Sequence, residues 1–138
     1  MISGFAAASR AQWSGAIVVA NERDNSLSFV AWPGRAEVRL PVPVSPHNVE
    51  ATADGKLILA TGAVVAGEGH AGHNMGGALV LVDPASATPA IVATIALQGH
   101  PAHVAADGQA RTAFVTDADT NAVDRKSTRL NSSHVALS

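Results

Sequence analysis

Residues 46–62 read Pro46-His47-Asn48-Val49-Glu50-Ala51-Thr52-Ala53-Asp54-Gly55-Lys56-Leu57-Ile58-Leu59-Ala60-Thr61-Gly62. Two short runs of β-type residues flank Asp54-Gly55, and Asp-Gly supplies the positive φ that a tight hairpin needs. The arrangement returns downstream, where Pro101-Ala102-His103-Val104, at an offset of 55 residues, is followed by Asp107-Gly108, two residues nearer than in the first unit. Upstream, Val18-Val19-Ala20-Asn21 matches Ile58-Leu59-Ala60-Thr61-Gly62 at an offset of about 41. The larger spacing comes mainly from an insertion over residues 63–77.

Working outward, no segment carries a helical apolar stripe. Strands are expected near residues 16–20, 26–31, 36–40, 48–52, 57–61, 78–83, 91–97, 103–105 and 112–116. Val38 and Leu40 alternate with Glu37 and Arg39, the pattern of a half-buried strand. Leu79-Val80-Leu81-Val82 is continuously apolar, which suits a strand covered on both faces. A period of about 40 to 50 residues with four short strands per unit marks a β-propeller blade. The expected fold class is therefore all-β. It is a partial β-propeller of about two to two and a half four-stranded antiparallel blades, not closed.

The unit also resembles the bacterial YVTN-type β-propeller repeat, within the broader WD40/YVTN-like group. The residues that carry the likeness are Pro46 to Gly62, then Ala78-Leu79-Val80-Leu81-Val82-Asp83-Pro84-Ala85, then Ile91 to Val104. Two partial units flank them, Ile17 to Val30 and Ala113 to Val123. The chain departs from the pattern in having no Tyr at the signature position. The resemblance covers about residues 15–123 and implies a repeat scaffold that binds a protein or small ligand at one face. It also implies further blades as partners of this segment. Similar propellers form periplasmic redox enzymes or electron-transfer subunits, which is the alternative reading.

Composition narrows the classes. The chain has 138 residues, 47% apolar and only 14% charged, and its formal net charge is −2. Disorder and a nucleic-acid surface are not expected on those values. No apolar run approaches the roughly 20 residues that span a bilayer. There is no cysteine, so disulfides, thiolate metal sites and a cysteine nucleophile are excluded for this segment. Aromatics are 4%, so Val, Leu, Ile and Ala must build the core.

The charge is unevenly spread. Residues 1–123 hold six Lys or Arg and ten Asp or Glu, a balance of −4, whereas residues 124–138 carry +2. The tail begins Asp124-Arg125-Lys126-Ser127-Thr128-Arg129-Leu130-Asn131-Ser132-Ser133-His134. It lacks the alternation and Gly punctuation of what precedes it, and it resembles the translation of a sequencing-library adapter. Residues 124–138 are therefore expected to be non-native and to lie outside the repeat fold. Residues 1–14 are read as a leader or the remnant of a signal peptide, with Ser9-Arg10-Ala11 as a small-x-small pattern. A periplasmic or extracellular location is expected on that reading.

The histidines are the informative chemical feature. Outside the tail there are His47, His70, His73, His100 and His103, with Met75 beside the second and third. In a propeller, the connection from an outer strand to the next inner strand shares an end with the loop joining a blade's second and third strands. His47, His100 and His103 fall in or just after the first kind, and His70, His73 and Met75 in the second. All are expected near one rim. Imidazole suits Cu, Zn, Fe or Ni, and a thioether adds a preference for Cu(I). These six residues are the candidate metal ligands, with copper or another transition metal as the candidate cofactor. The competing use of each histidine is structural or solvated.

Other motifs carry less. Gly67-Glu68-Gly69-His70-Ala71-Gly72 satisfies G-x-G-x-x-G, but a strand follows where a dinucleotide site needs a helix. Asp54, Asp83, Asp107, Asp117 and Asp119 read as turn residues. Trp13 and Trp32 read as packing or edge residues, and no serine has a nucleophile-elbow context. No catalytic residue is identified.

Overall fold

The structure, a computed structural model, describes residues 15–65, 76–85 and 88–128. Among these residues the fold is all-β, with ten strands in chain order. They are β1 (Ile17–Asn21), β2 (Ser26–Val30), β3 (Glu37–Pro41), β4 (Val44–Ala51), β5 (Ile58–Val64), β6 (Gly77–Asp83), β7 (Ala90–Leu97), β8 (Pro101–Ala106), β9 (Thr112–Asp117) and β10 (Ala122–Ser127). They form three antiparallel meanders. Sheet one is β1-β2-β3, sheet two is β4-β5-β6-β7, and sheet three is β8-β9-β10. One three-residue 3-10 turn, Glu22–Asp24, links β1 to β2. Among the described residues no helix is long and apolar enough to cross a membrane.

The sheets stack face on face without closing, the arrangement of a partial propeller. Two cores hold them together. Leu27 and Phe29 of sheet one pack with Val44, Ile58, Ala60, Ala78, Val80 and Val82 of sheet two. On the other side, Leu59, Leu79, Leu81 and Leu97 of sheet two pack with Val104, Ala113 and Val115 of sheet three. The period of two explains the division. Along β6 the even positions face sheet one and the odd positions face sheet three. The continuous run Leu79-Val80-Leu81-Val82 is thus buried on both faces, as expected, with each residue at most 1% exposed.

Glycine fits the sheet contacts where no side chain can. A Cβ at Gly62 would overlap the Ser45 carbonyl oxygen, and one at Gly77 would overlap the Pro101 ring. The first contact draws β4 onto β5. The second brings sheet three against sheet two at the start of β6.

Three local expectations need correction. β4 and β8 begin at Val44 and Pro101, earlier than residues 48 and 103, because each strand takes in its proline through a register shift. One shift falls between Pro46 and Asn48, the other between Pro101 and Val104. Nine strands are expected and ten form among the described residues, because β10 runs past Val123 into the segment expected to be non-native. The third concerns turns. Gly55 has φ +68°, as Asp-Gly requires, but in the second turn the positive φ of 55° falls on Ala110. There Asp107 Oδ1 accepts hydrogen bonds from the amides of Arg111 and Thr112, so its carboxylate closes the turn.

Candidate functional site

The first strands of sheets two and three, β4 and β8, run side by side, and the chemistry gathers at their starting ends. His47 lies at the register shift of β4, and His103 at that of β8. A bulge re-aims the side chain it carries. The two imidazole centroids are 5.9 Å apart, with the rings inclined at 42°. On its other side, His47 Nδ1 lies 3.5 Å from Glu22 Oε1. Glu22 belongs to the 3-10 turn of sheet one, so groups from three successive sheets meet at this end. His47 and Glu22 are both about half exposed, with side chains at 48% and 60%.

Backbone and neutral side chains fix this geometry. Asn48 Oδ1 accepts a 2.9 Å hydrogen bond from the Val104 amide, tying sheet two to sheet three one residue beyond each histidine. Ser45 Oγ donates to the Glu22 carbonyl at 2.9 Å, tying sheet one to sheet two. The His103 amide donates to Thr116 Oγ1 and the His100 amide to Asp117 Oδ1, each at 3.0 Å. Asp117 is the hub of its corner. Its carboxylate also accepts from the Thr120 hydroxyl and the Asp119 amide. The Thr120 hydroxyl, then the His100 amide, hold the Asp117 carboxyl below the usual carboxylate range. Gly99, with φ +74°, leaves the room that this carboxylate fills.

Of the six candidate ligands, the structure brings His47 and His103 together. It places His100 just ahead of β8, held through its backbone. His70, His73 and Met75 lie outside the described residues. Among the described residues no group of three or more His, Cys, Asp or Glu could hold a metal ion. The reading from sequence missed Glu22 and Asn48. Asn48 had a signal, its place between the loop proline and the strand valine. Glu22 had none, since its partner lies 25 residues away in another sheet.

The arrangement offers two imidazoles and a carboxylate at one end, open to solvent. Each imidazole can donate, accept or ligate, and the carboxylate accepts only. That suits recognition of a polar or cationic group.

No family model matches the chain, and no curated protein matches it. Among solved structures, the chain is similar to hydrazine synthase of Kuenenia stuttgartiensis, with a TM-score of 0.67. The likeness is one of fold. Identity is 19% over 86% of this chain and 31% of that one, so the segment spans about a third of its structural neighbour.

Proposed function

We propose that this chain is part of a YVTN-type β-propeller, exported to the periplasm or beyond, that acts as a binding scaffold through its histidine-bearing end. The observation that carries the reading is the 5.9 Å approach of His47 and His103 across the junction of two sheets. Residues on different repeats converge where the same side chains would be scattered if they only capped their own loops. The ligand is a protein or small-molecule group presented to imidazole, or a transition metal held by imidazoles with Met75. The remaining blades of the whole protein are its structural partners.

The test is direct. Titration of the chain with Cu(I), Cu(II) and Zn(II), followed by isothermal calorimetry and bound-metal analysis, is repeated on His47→Ala/His103→Ala and on His70→Ala/His73→Ala. Loss of metal in either variant supports the metal form of the reading. Unchanged metal content in both removes it.

A second reading draws on the likeness of fold to hydrazine synthase, an enzyme. On it, the segment belongs to a redox or electron-transfer subunit and its rim faces a cofactor. A redox-active partner domain carried by the same full-length protein supports this reading, and uninterrupted further repeats support the scaffold.

A further inference from the structure

The imidazoles of His47 and His103 are placed by the fold but do not hold it. His103 contributes its amide, which donates to Thr116 Oγ1 at 3.0 Å. The spacing of β4 and β8 beside the two rings is set by the Val104 amide on Asn48 Oδ1 at 2.9 Å. Among the described residues the His103 ring has no hydrogen-bond partner, and both histidines are exposed. The fold thus brings two ring nitrogen pairs to one place and leaves them to other chemistry.

Glu22 decides which nitrogen of His47 is free. Its Oε1 lies 3.5 Å from Nδ1, at the outer limit of hydrogen-bond reach. A carboxylate on that side keeps the proton on Nδ1 and leaves the Nε2 lone pair for a metal. The carboxylate is itself steadied through its own backbone, because the Glu22 carbonyl accepts from Ser45 Oγ at 2.9 Å. Carboxylate, imidazole and metal in that order is the usual way a ligating histidine is oriented.

The ring spacing selects the kind of ion. With metal–nitrogen bonds of about 2.0–2.1 Å, two imidazoles on cis positions of a square plane or octahedron have centroids roughly 4.5 Å apart, and on a tetrahedron roughly 5 Å. Two collinear imidazoles stand roughly 6.5 Å apart on the same bond lengths. The observed 5.9 Å lies on the wide side of the tetrahedral span, well outside the cis one. We infer that His47 and His103 share one tetrahedral ion of the zinc type, with Glu22 as the positioning residue. The inference rests on the binding role proposed for the histidine end and names its ligand and its atoms. The described residues supply no third ligand, so the remaining positions are open to water.

The test uses the full chain carrying His70→Ala/His73→Ala, so that the pair is read without the inserted loop. Zn(II) binding is followed by calorimetry. Co(II) serves as a visible probe, because four-coordinate cobalt absorbs far more strongly than six-coordinate cobalt. One Zn(II) per chain, intense cobalt absorption and a rise in Tm of about 5 °C or more at saturating zinc are expected. His47→Ala and His103→Ala should each weaken binding at least about tenfold and abolish the intense absorption. Should either precipitate, the glutamine variant is read in its place. Glu22→Ala should weaken binding about tenfold, and Glu22→Gln, whose amide oxygen still accepts from Nδ1, should restore most of it. Equal losses in both Glu22 variants, or no loss in either, overturn the positioning role. A six-coordinate cobalt spectrum, or unchanged affinity in a histidine variant, overturns the shared ion. Zinc bound only when His70 and His73 are present also overturns it, while leaving the metal form of the proposed function standing.

Discussion

Asn48 shows how much one polar side chain can organise. Its Oδ1 is the acceptor for the Val104 amide, a link between residues 56 positions apart. Asn48→Ala leaves that part-buried amide without its acceptor and is expected to cost about 1–3 kcal/mol in chemical denaturation. It should also loosen the spacing of His47 and His103, which lie beside the bond. Gly62→Ala is expected to be more severe, because its Cβ would sit on the Ser45 carbonyl oxygen and neither backbone can yield. Asp117 is one of three carboxyls, with Glu37 and Asp54, whose hydrogen bonds shape the response to acid. Its pKa is depressed by the Thr120 hydroxyl and the His100 amide, so its contribution is complete above the unfolded value of about 3.9. That contribution disappears as pH falls through the lower folded value. Unfolding midpoints measured between about pH 2 and 7 should therefore drop on the acid side, and Asp117→Asn should flatten the drop. Asp54, held low by Thr52 and the Lys56 amide, acts in the same sense. Of these residues, the two aspartates were legible as turn makers. The roles of Asn48 and Gly62 were not, because each depends on a neighbour that only the assembled sheets bring near.

Strands were legible where burial and pattern agree. The run Leu79-Val80-Leu81-Val82 announces a doubly covered strand, and β6 is one. Substitution should test its two faces separately. Leu79→Ala opens the core toward sheet three and is expected to cost about 2–5 kcal/mol. Phe29→Ala opens the core toward sheet one and is expected to cost about 3–5 kcal/mol, both read from denaturant midpoints. Strand starts were less legible. Pro46 and Pro101 look like loop residues, yet the register shifts beside them let β4 and β8 begin at or before the proline. In the second turn Ala110 adopts the positive φ, because two hydrogen bonds to Asp107 fix the chain there and outweigh the preference for Gly108. β10 was hidden for another reason. Asp124, Arg125 and Lys126 give no strand signal, and β9 supplies the hydrogen-bonding template that their own pattern lacks.

At the scale of the molecule, three stacked sheets leave edges and faces that further repeats would cover. Ile17, Val19 and Val123 are 49%, 41% and 53% exposed, and Phe114 is 40% exposed. Open edges with apolar neighbours are templates for association. The 138-residue chain is accordingly expected to self-associate or to remain partly ordered in sedimentation and thermal melts. A monomer with one sharp cooperative transition is the outcome that overturns this expectation. The fold class was readable from repeats and turns, since each repeat states its own strands locally. The close pairing of His47 with His103 was not, because the two imidazoles belong to different sheets and their approach is set by how those sheets stack. One further consequence follows from the alternation along β6. Chain neighbours there answer to different sheets. Across evolutionary variants, positions 79 and 81 should drift together with 104, 113 and 115, while 80 and 82 should drift with 27 and 29. One strand thus keeps two separate histories, one for each of the surfaces it joins.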